Sequence, residues 1–407
     1  MKARVDFIIP AVVLAIGLSS VAVSCGSDDD GGGSGGASSG GTSSSGGAAS
    51  GGSSGSGGAS SGGASGGGGT SGSGGAGTGG AGTGGTGTGG TGTGGAGTGG
   101  AGTGGSGAGI PPDKQNLRVA FFGDTKSGTD FKSVLTLAVN EKADFILGGG
   151  DYDYSLNPSA WLTAMNSVVG ADYPIFGAVG NHDVFPSNWE PYATEFKKRM
   201  QKVGVVPDSP DFTDEKFSIV YHGIKIVFVG QNGKNTEFAD FIQQQFATDD
   251  HIWRLCVWHK NQNKMQVGGK GDEMGWGVYE NCRAAGAIVL TAHEHSYHRT
   301  KTLTDMTNQV VDATCSDPKK ICVGPGRTFA MVSGLGGNDV RVQARCLPAT
   351  YPYGCKQEWA HIYTSNQGAT FGAMFLDFYV SGDPKKAKAY FKNVQNKLVD
   401  EFDITKD

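Results

Sequence analysis

The amino-acid sequence predicts an α/β fold in which two mixed β-sheets pack face to face with helices on the outside. Five short apolar runs between residues 119 and 290 have the length and composition of buried strands. A helix-like stretch separates the first two runs, which is the pattern of a βαβ unit. From residue 371 onward, apolar segments alternate with turn signals, which indicates antiparallel β-structure.

The predicted strands cover residues 119–122, 145–147, 175–179, 255–258 and 287–290. The predicted helix, residues 131–142, has apolar side chains at Phe131, Val134, Leu135 and Ala138, a spacing that places them on one face. The C-terminal strands cover residues 371–380, 387–393 and 398–404, with turn residues between them.

The N-terminal residues have the composition of an export signal. Lys2 and Arg4 precede an apolar run at residues 7–23, and about 17 residues is the lower limit for a membrane-spanning helix. The run ends in the letters AVSCG at 22–26, which resemble a bacterial lipobox. The resemblance implies that residues 1–24 are a removed signal peptide and that a lipid on Cys25 binds the membrane. We expect an extracytoplasmic lipoprotein of the outer membrane or cell surface, or a secreted protein if Cys25 is not lipidated.

Residues 25–109 are almost wholly Gly, Ser, Thr and Ala, with a repeated pentad A/T-G-T-G-G that begins at residue 76. A chain with no apolar side chains to bury stays disordered, and this linker has an expected r.m.s. span of about 50 Å. Its G-x-G spacings follow no strand and precede no helix, so they are not dinucleotide-binding loops. Residues 110–407 have ordinary globular composition, and we assign them to one catalytic domain.

Charge and cysteine content narrow the class of protein. The 33 basic and 38 acidic residues form no long block of either sign, so we expect no nucleic-acid-binding face. Six cysteines besides Cys25 suit an oxidising compartment, and fifteen pairings of them are possible. Two pairs, Cys315 with Cys322 and Cys346 with Cys355, would each close a short loop. We expect the other two, Cys256 and Cys282, to be buried free thiols, because their surroundings are apolar.

Polar motifs follow the five apolar runs. They contain Asp124, Asp151, Asn181 with His182, His259, and His293 with His295. Carboxylate, amide and imidazole groups bind divalent and trivalent cations, and two cations about 3.5–4 Å apart are a known hydrolytic arrangement. A glycine precedes each of the first three ligands and allows a sharp turn after the strand. Any one motif could equally be a turn or a helix cap, so the prediction depends on the combination.

This order of motifs over residues 118–299 resembles the calcineurin-like metallophosphoesterases. The resemblance implies a four-layer αββα sandwich and a hydrolase of phosphoric esters. Many members have a histidine two residues after the first aspartate, where this chain has Lys126. Tyr154, three residues after Asp151, has the spacing of the tyrosinate that binds ferric iron in purple acid phosphatases, so we expect that branch. A core aromatic is the alternative for Tyr154, and Tyr152 with Asp153 offers a competing register.

The resemblance implies a ligand set for two metal ions. Asp124, Tyr154 and His295 would bind Fe³⁺, while Asn181, His259 and His293 would bind Zn²⁺, Mn²⁺ or Fe²⁺, with Asp151 bridging both. A metal-activated hydroxide would attack phosphorus in line. His182 would bind phosphate or protonate the leaving alkoxide. Lys126, Lys260 and Arg299 are candidate phosphate contacts because they are near proposed ligands in sequence, and residues 265–276 are a candidate pocket loop.

The expected function is hydrolysis of small phosphate monoesters. A phosphodiesterase acting on nucleotides or lipid headgroups is an alternative, because the same metal centre serves diesters when the pocket admits a second substituent. A surface-tethered binding module without activity is another alternative, against which the complete ligand set argues. The oligomeric state stays open.

Overall fold

The computed structural model of the protein describes residues 109–184, 189–208, 215–230 and 235–407. The predicted signal peptide, Cys25 and all of the predicted linker but its last residue lie outside these ranges. Within them, every helix is too short or too polar to cross a membrane.

The described residues form sixteen strands and six helices. The strands are β1 Leu117–Phe122, β2 Phe145–Gly148, β3 Ile175–Gly177, β4 Phe217–Tyr221, β5 Ile224–Phe228, β6 Trp253–Val257, β7 Ile288–Thr291, β8 Tyr297–Thr300, β9 Leu303–Asp305, β10 Val310–Val311, β11 Lys320–Val323, β12 Ala330–Ser333, β13 Trp359–Tyr363, β14 Gly372–Phe378, β15 Lys386–Asn393 and β16 Leu398–Lys406. The helices are α1 Thr129–Asn140, α2 Pro158–Val169, α3 Asn181–Val184, α4 Trp189–Lys202, α5 Asn235–Phe246 and α6 Trp276–Ala284. A 3₁₀ turn covers Asn263–Met265.

Two seven-stranded sheets form the centre of the fold. The first has the strand order β11-β16-β15-β14-β1-β2-β3, and the second has the order β13-β8-β12-β7-β6-β5-β4. Both are mixed: β1, β2 and β3 run parallel, as do β5, β6, β7 and β12, while β14, β15 and β16 are antiparallel. Strands β9 and β10 form a separate ribbon.

Aromatic side chains join the two sheets into one core. The ring of Phe145 in the first sheet lies 5.2 Å from that of Tyr221 in the second, and Tyr297 stacks at 4.3 Å on Phe391. Helices α1 and α4 contact strands of the first sheet, and α6 contacts a strand of the second. Helix α2 packs on α1 and α4, and α5 packs on α6. The predicted α/β fold of two packed mixed sheets with flanking helices is therefore confirmed.

The predicted elements lie where the sequence placed them, with shifted ends. The five apolar runs fall in β1, β2, β3, β6 and β7, and the C-terminal segments form β14, β15 and β16. The predicted helix is α1, whose buried residues include the four predicted apolar positions. It ends at Asn140 because Lys142 has a left-handed backbone with φ of 57°. Of the predicted strand at 175–179, only Ile175–Gly177 forms a strand.

The cysteines form three disulfides. Cys315–Cys322 and Cys346–Cys355 close the two short loops considered from the sequence. The third bond, Cys256–Cys282, contradicts the expectation of free thiols at these two positions. Cys256 lies on β6 and Cys282 on α6, and packing of the helix on the sheet brings their Cα atoms within 6.5 Å. Apolar surroundings fit a buried disulfide as well as a buried thiol.

Candidate metal centre

The candidate ligands follow the carboxyl ends of neighbouring parallel strands. Asp124 comes two residues after β1 and Asp151 three after β2, while His259 and His293 each come two residues after β6 and β7. Because parallel strands end at a common edge, these loops meet there. The Asp124 N–H donates to the Gly150 carbonyl at 3.0 Å, which holds two of the loops together.

Three candidate ligands have a left-handed backbone. The φ angles are 57° at Asp124, 55° at Asp151 and 72° at His293, a region that costs free energy for residues other than glycine. Such conformations persist where surrounding contacts hold them, and they are common at functional sites. At Gly150, with φ of 88°, an added Cβ would lie 2.7 Å from the Gly180 nitrogen. The glycine before Asp151 is therefore required by the close approach of two ligand loops.

A first cluster of donor atoms surrounds the Tyr154 hydroxyl. Its oxygen lies 2.8 Å from Asp124 Oδ1, 3.1 Å from Asp151 Oδ2 and 2.9 Å from His295 Nε2. His295 Nε2 is 3.2 Å from Asp124 Oδ1. Donors that are each about 2.0–2.2 Å from one ion lie about 3 Å apart, so these four residues fit a single metal ion.

A second cluster shares Asp151 with the first. His259 Nε2 lies 3.0 Å from Asp151 Oδ2 and 3.0 Å from His293 Nδ1, and the three residues are close enough to hold one cation. Asn181 contributes a buried side-chain oxygen that has no hydrogen-bond partner in the described parts of the chain. Its neighbour His182 donates its backbone N–H to Asp151 Oδ1 at 2.9 Å. An orphaned buried amide oxygen is a donor that fits a metal ion.

An oxygen atom lies beside the outer nitrogen of each of the three histidines. His259 Nδ1 donates to the Gly149 carbonyl at 2.7 Å, which leaves Nε2 free to bind a metal. His293 Nε2 lies 2.9 Å from Glu273 Oε2, and His295 Nδ1 contacts Asp339. Such partners fix the tautomer and orientation of metal-binding histidines. Sequence reasoning missed Glu273 and Asp339, because neither is near its histidine in the chain.

The Asp183 side chain connects the turn that contains Asp151 to the turn that contains Asn181. Its buried carboxylate accepts the backbone N–H groups of Asp151 at 2.8 Å, Tyr152 at 2.9 Å and Gly180 at 2.7 Å. Burial, followed by the negative charge of Asp151, raises the pKa of Asp183 to about 7. The side chain thus fixes the backbone of Asp151, the predicted bridging ligand. The motif G-N-H-D in the sequence was a signal that could have identified it.

In the metal-free protein, the clustered charges determine which of the candidate ligand side chains are protonated. Burial alone would raise the pKa of Asp124, but His295 and His259 lower it to about 2, and His259 likewise keeps the pKa of Asp151 low. Burial lowers the pKa of His259, but Asp151 and Asp124 outweigh it and raise that pKa to about 9. Burial lowers the pKa of His293 to about 4. At neutral pH a metal ion must therefore displace a proton from His259.

Residues 117–297 match the family model of the calcineurin-like phosphoesterases. The chain carries a calcineurin-like phosphoesterase domain. This confirms the predicted superfamily, and with it a metal-dependent hydrolase of the phosphoesterase class. No curated protein matches the sequence.

Several solved structures are similar to this phosphoesterase domain. A purple acid phosphatase from yellow lupin (Lupinus luteus) has 16% identity and a TM-score of 0.53, with 73% of this chain and 55% of that chain covered. GAP50, the anchor in the inner membrane complex of Plasmodium, has 11% identity and a TM-score of 0.46, over 72% of this chain and 89% of its own. A dimetal phosphatase from Danio rerio has 8% identity and a TM-score of 0.40, over 72% and 99%. This chain thus spans about half of the lupin phosphatase.

In the phosphoesterase domain, Tyr152 and Asp153, the alternative register considered from the sequence, have structural roles. The Tyr152 hydroxyl donates to the Ala178 carbonyl at 2.7 Å, and its ring packs 4.9 Å from that of Trp161. The Asp153 carboxylate accepts the Asn157 N–H at 2.9 Å within its own loop. Asp151 and Tyr154 face the centre instead.

The three candidate phosphate contacts of the phosphoesterase domain lie in different surroundings. Lys260 Nζ is 3.3 Å from Glu273 Oε1 and lies near the centre, while Lys126 Nζ is 3.5 Å from the Asn338 carbonyl. Arg299 is wrong as a phosphate contact, because it is fully buried and its Nε donates to Asp400 Oδ2 at 2.6 Å. Its ion pair joins β8 of one sheet to β16 of the other. Nearness in sequence did not imply nearness to the site.

His182 lies beside the ligand set without joining either cluster. Its ring centroid is 4.3 Å from that of Tyr154, and the residue is partly exposed. Residues 265–276 do reach the centre: Lys270 Nζ lies 3.0 Å from His293 Nε2. Sequence reasoning singled out this loop but not Lys270 itself.

Proposed function

We propose that this protein is a phosphomonoesterase of the purple acid phosphatase type, with a dinuclear centre formed by the seven predicted ligands. The observation that carries the proposal is the Tyr154 hydroxyl, which lies within 3.1 Å of donors from Asp124, Asp151 and His295. A phenolate with two carboxylates and one imidazole suits Fe³⁺, and a site with two imidazoles, one amide and the shared Asp151 suits Zn²⁺, Mn²⁺ or Fe²⁺.

Each residue of the centre has a task in phosphate-ester hydrolysis. When bound, the two metal ions would lower the pKa of a water molecule and polarise a phosphoryl oxygen. Asp151 belongs to both donor clusters and sets the separation of the two sites. His182, partly exposed beside Tyr154, is placed to hydrogen-bond a phosphoryl oxygen or to donate a proton to the leaving alkoxide.

The expected activity is tested with purified full-length protein loaded with both metals. We predict hydrolysis of p-nitrophenyl phosphate, and Asp151→Ala should abolish it, because that side chain belongs to both clusters. Asp172→Ala is the matched control, since this carboxylate is exposed and pairs with Lys202. Hydrolysis of bis-p-nitrophenyl phosphate in place of the monoester would favour the phosphodiesterase alternative. A wild type no more active than Asp151→Ala would favour the binding module.

We also propose that the protein acts outside the cytoplasm, anchored through a lipid on Cys25. Three disulfides support an oxidising compartment, because such bonds are rare where thiols are kept reduced. The lipobox-like residues at 22–26 support the anchor. A small phosphate ester in that compartment is the expected substrate.

A further inference from the structure

One lysine reaches into the candidate metal centre from the loop before α6. Lys270 Nζ lies 3.0 Å from Nε2 and 3.2 Å from Nδ1 of His293, and no carboxylate among the described residues forms an ion pair with it. The nearby Lys260 differs, because its ammonium is 3.3 Å from Glu273 Oε1. Within the described ranges Lys270 therefore brings a positive charge to the centre without a paired carboxylate. Burial and Arg341 lower the pKa of Lys270, while Asp124, Glu294 and Glu273 raise it from beyond ion-pair distance.

The loop is built to hold Lys270 in this position. The Lys270 carbonyl accepts hydrogen bonds from the side-chain amides of Asn263 at 2.6 Å and Gln266 at 2.8 Å. The Val267 carbonyl accepts the backbone N–H groups of Ala344 at 2.9 Å and Arg345 at 3.0 Å. These bonds fix the backbone on which the side chain stands, so the ammonium is positioned by the fold.

The present partner of Lys270 is lost when a metal binds. A neutral imidazole has one lone pair and one N–H. Nδ1 of His293 faces the donor cluster, 3.0 Å from His259 Nε2, while Nε2 lies 2.9 Å from Glu273 Oε2. Once the lone pair of Nδ1 is given to a metal and the Nε2–H to Glu273, the ring offers Lys270 no acceptor. An ammonium beside bound cations is then stabilised by an anion that comes within hydrogen-bond distance of it.

We propose that Lys270 is the phosphate-recognition residue of this centre and that its ammonium binds a charged phosphoryl oxygen of the substrate. The proposal rests on the proposed function and adds a substrate preference to it. A phosphate monoester carries one more charged oxygen than a diester, so a fixed ammonium favours monoesters. Ammonium-to-phosphate hydrogen bonds are charge-assisted and are among the stronger ones in proteins.

The test compares Lys270→Met with Lys264→Met in full-length protein loaded with metal. Lys264 is an exposed lysine of the adjoining 3₁₀ turn and serves as the matched control. Calorimetric titration with inorganic phosphate should show binding weakened about 10- to 100-fold in Lys270→Met, the usual range for a hydrogen bond to a charged group. Lys264→Met should bind phosphate like the wild type. Affinity for the metals should stay equal or rise in Lys270→Met, because a nearby positive charge is removed.

Two results would overturn the role of Lys270. One is unchanged phosphate affinity in loaded Lys270→Met, and the other is loss of metal from that variant. If Lys270→Met does not fold, Lys270→Gln provides the same comparison, and Lys270→Arg should retain phosphate binding because it keeps the charge. The proposed function can fail separately from the role of Lys270. If metal-loaded wild type binds phosphate through Lys270 but hydrolyses no ester, the phosphate site is supported and the enzymatic function is contradicted. If the wild type is active but its phosphate binding does not depend on Lys270, the enzymatic function is supported and the role of Lys270 is contradicted.

Discussion

At Tyr154 a phenol lies between two carboxylates and an imidazole inside the fold. Burial and the charges of Asp124 and Asp151 raise its pKa well above 10, so the hydroxyl keeps its proton while the centre lacks metal. A trivalent cation reverses this balance, because it stabilises the phenolate and both carboxylates together. As a ligand, Tyr154 would favour a highly charged, hard ion at the proposed first site.

The iron-loaded protein should show a visible tyrosinate-to-iron absorption band that is lost in Tyr154→Phe. We expect weaker retention of iron in the variant, because one of its oxygen donors is gone. Tyr152→Phe is the matched control, since its hydroxyl donates to a backbone carbonyl in the core. A visible spectrum that survives Tyr154→Phe would contradict the proposed ligand.

Loading the centre at pH 7 should release about two protons from side chains, one from His259 and one from Tyr154, in addition to any proton lost by metal-bound water. The pKa of His259 is about 9 and that of Tyr154 is higher, so both groups are protonated before metal binds. Apparent metal affinity should therefore rise with pH, more steeply below about pH 9, where both groups must lose a proton, than above it, where only Tyr154 must. Calorimetry in buffers of different ionisation enthalpy measures the released protons. Tyr154→Phe should release about one fewer, whereas equal release would contradict the assignment.

At the scale of the elements, short turns after parallel strands carry candidate ligands. Gly150 and Asp183 let two of these turns approach closely, and the outer partners of the histidines come from loops elsewhere in the chain. The motifs that follow each strand could be recognised in the sequence because ligand and strand are neighbours. Glu273 and Lys270 could not, since their loop reaches His293 only after folding.

The disulfide Cys256–Cys282 ties α6 to β6, the strand that leads into His259. Its sequence separation is 26, and closing a loop of that size stabilises the fold by about 3.5 kcal/mol through the unfolded state. We predict a loss of that order in the free energy of unfolding for the double variant Cys256→Ala, Cys282→Ala, measured in urea. The pair Cys315 and Cys322, with a separation of 7, should cost less, about 2.5 kcal/mol. Two reactive thiols in native, oxidised protein would contradict the bond.

At the scale of the whole molecule, the match to the phosphoesterase family ends before the sheets are complete. The family model covers residues 117–297, yet β12 lies between β7 and β8, and β14 pairs with β1. The C-terminal residues therefore close both sheets around the site. The buried pair of Arg299 with Asp400 belongs to this closure, because it links the two sheets.

The predicted lipid anchor gives a prediction for the complete chain. Expressed in a bacterium that processes lipoproteins, the wild type should partition with membranes, and Cys25→Ser should appear in the soluble extracytoplasmic fraction with unchanged specific activity. The physical reason is that membrane affinity resides in acyl chains and not in the catalytic domain. Membrane retention of Cys25→Ser, measured by fractionation and immunoblotting, would contradict the anchor.

The sequence alone determined the strand-forming runs and the apolar face of α1, since each depends on residues within a few positions of one another. The seven candidate ligands followed from the resemblance of the combined motifs to a known family. Only the tertiary structure decided that Cys256 meets Cys282, that Arg299 pairs with Asp400 and that Lys270 lies over His293. These contacts join residues 23 to 101 positions apart. Their geometry is set by how sheets, helices and loops pack, and local patterns carry no information about those distances.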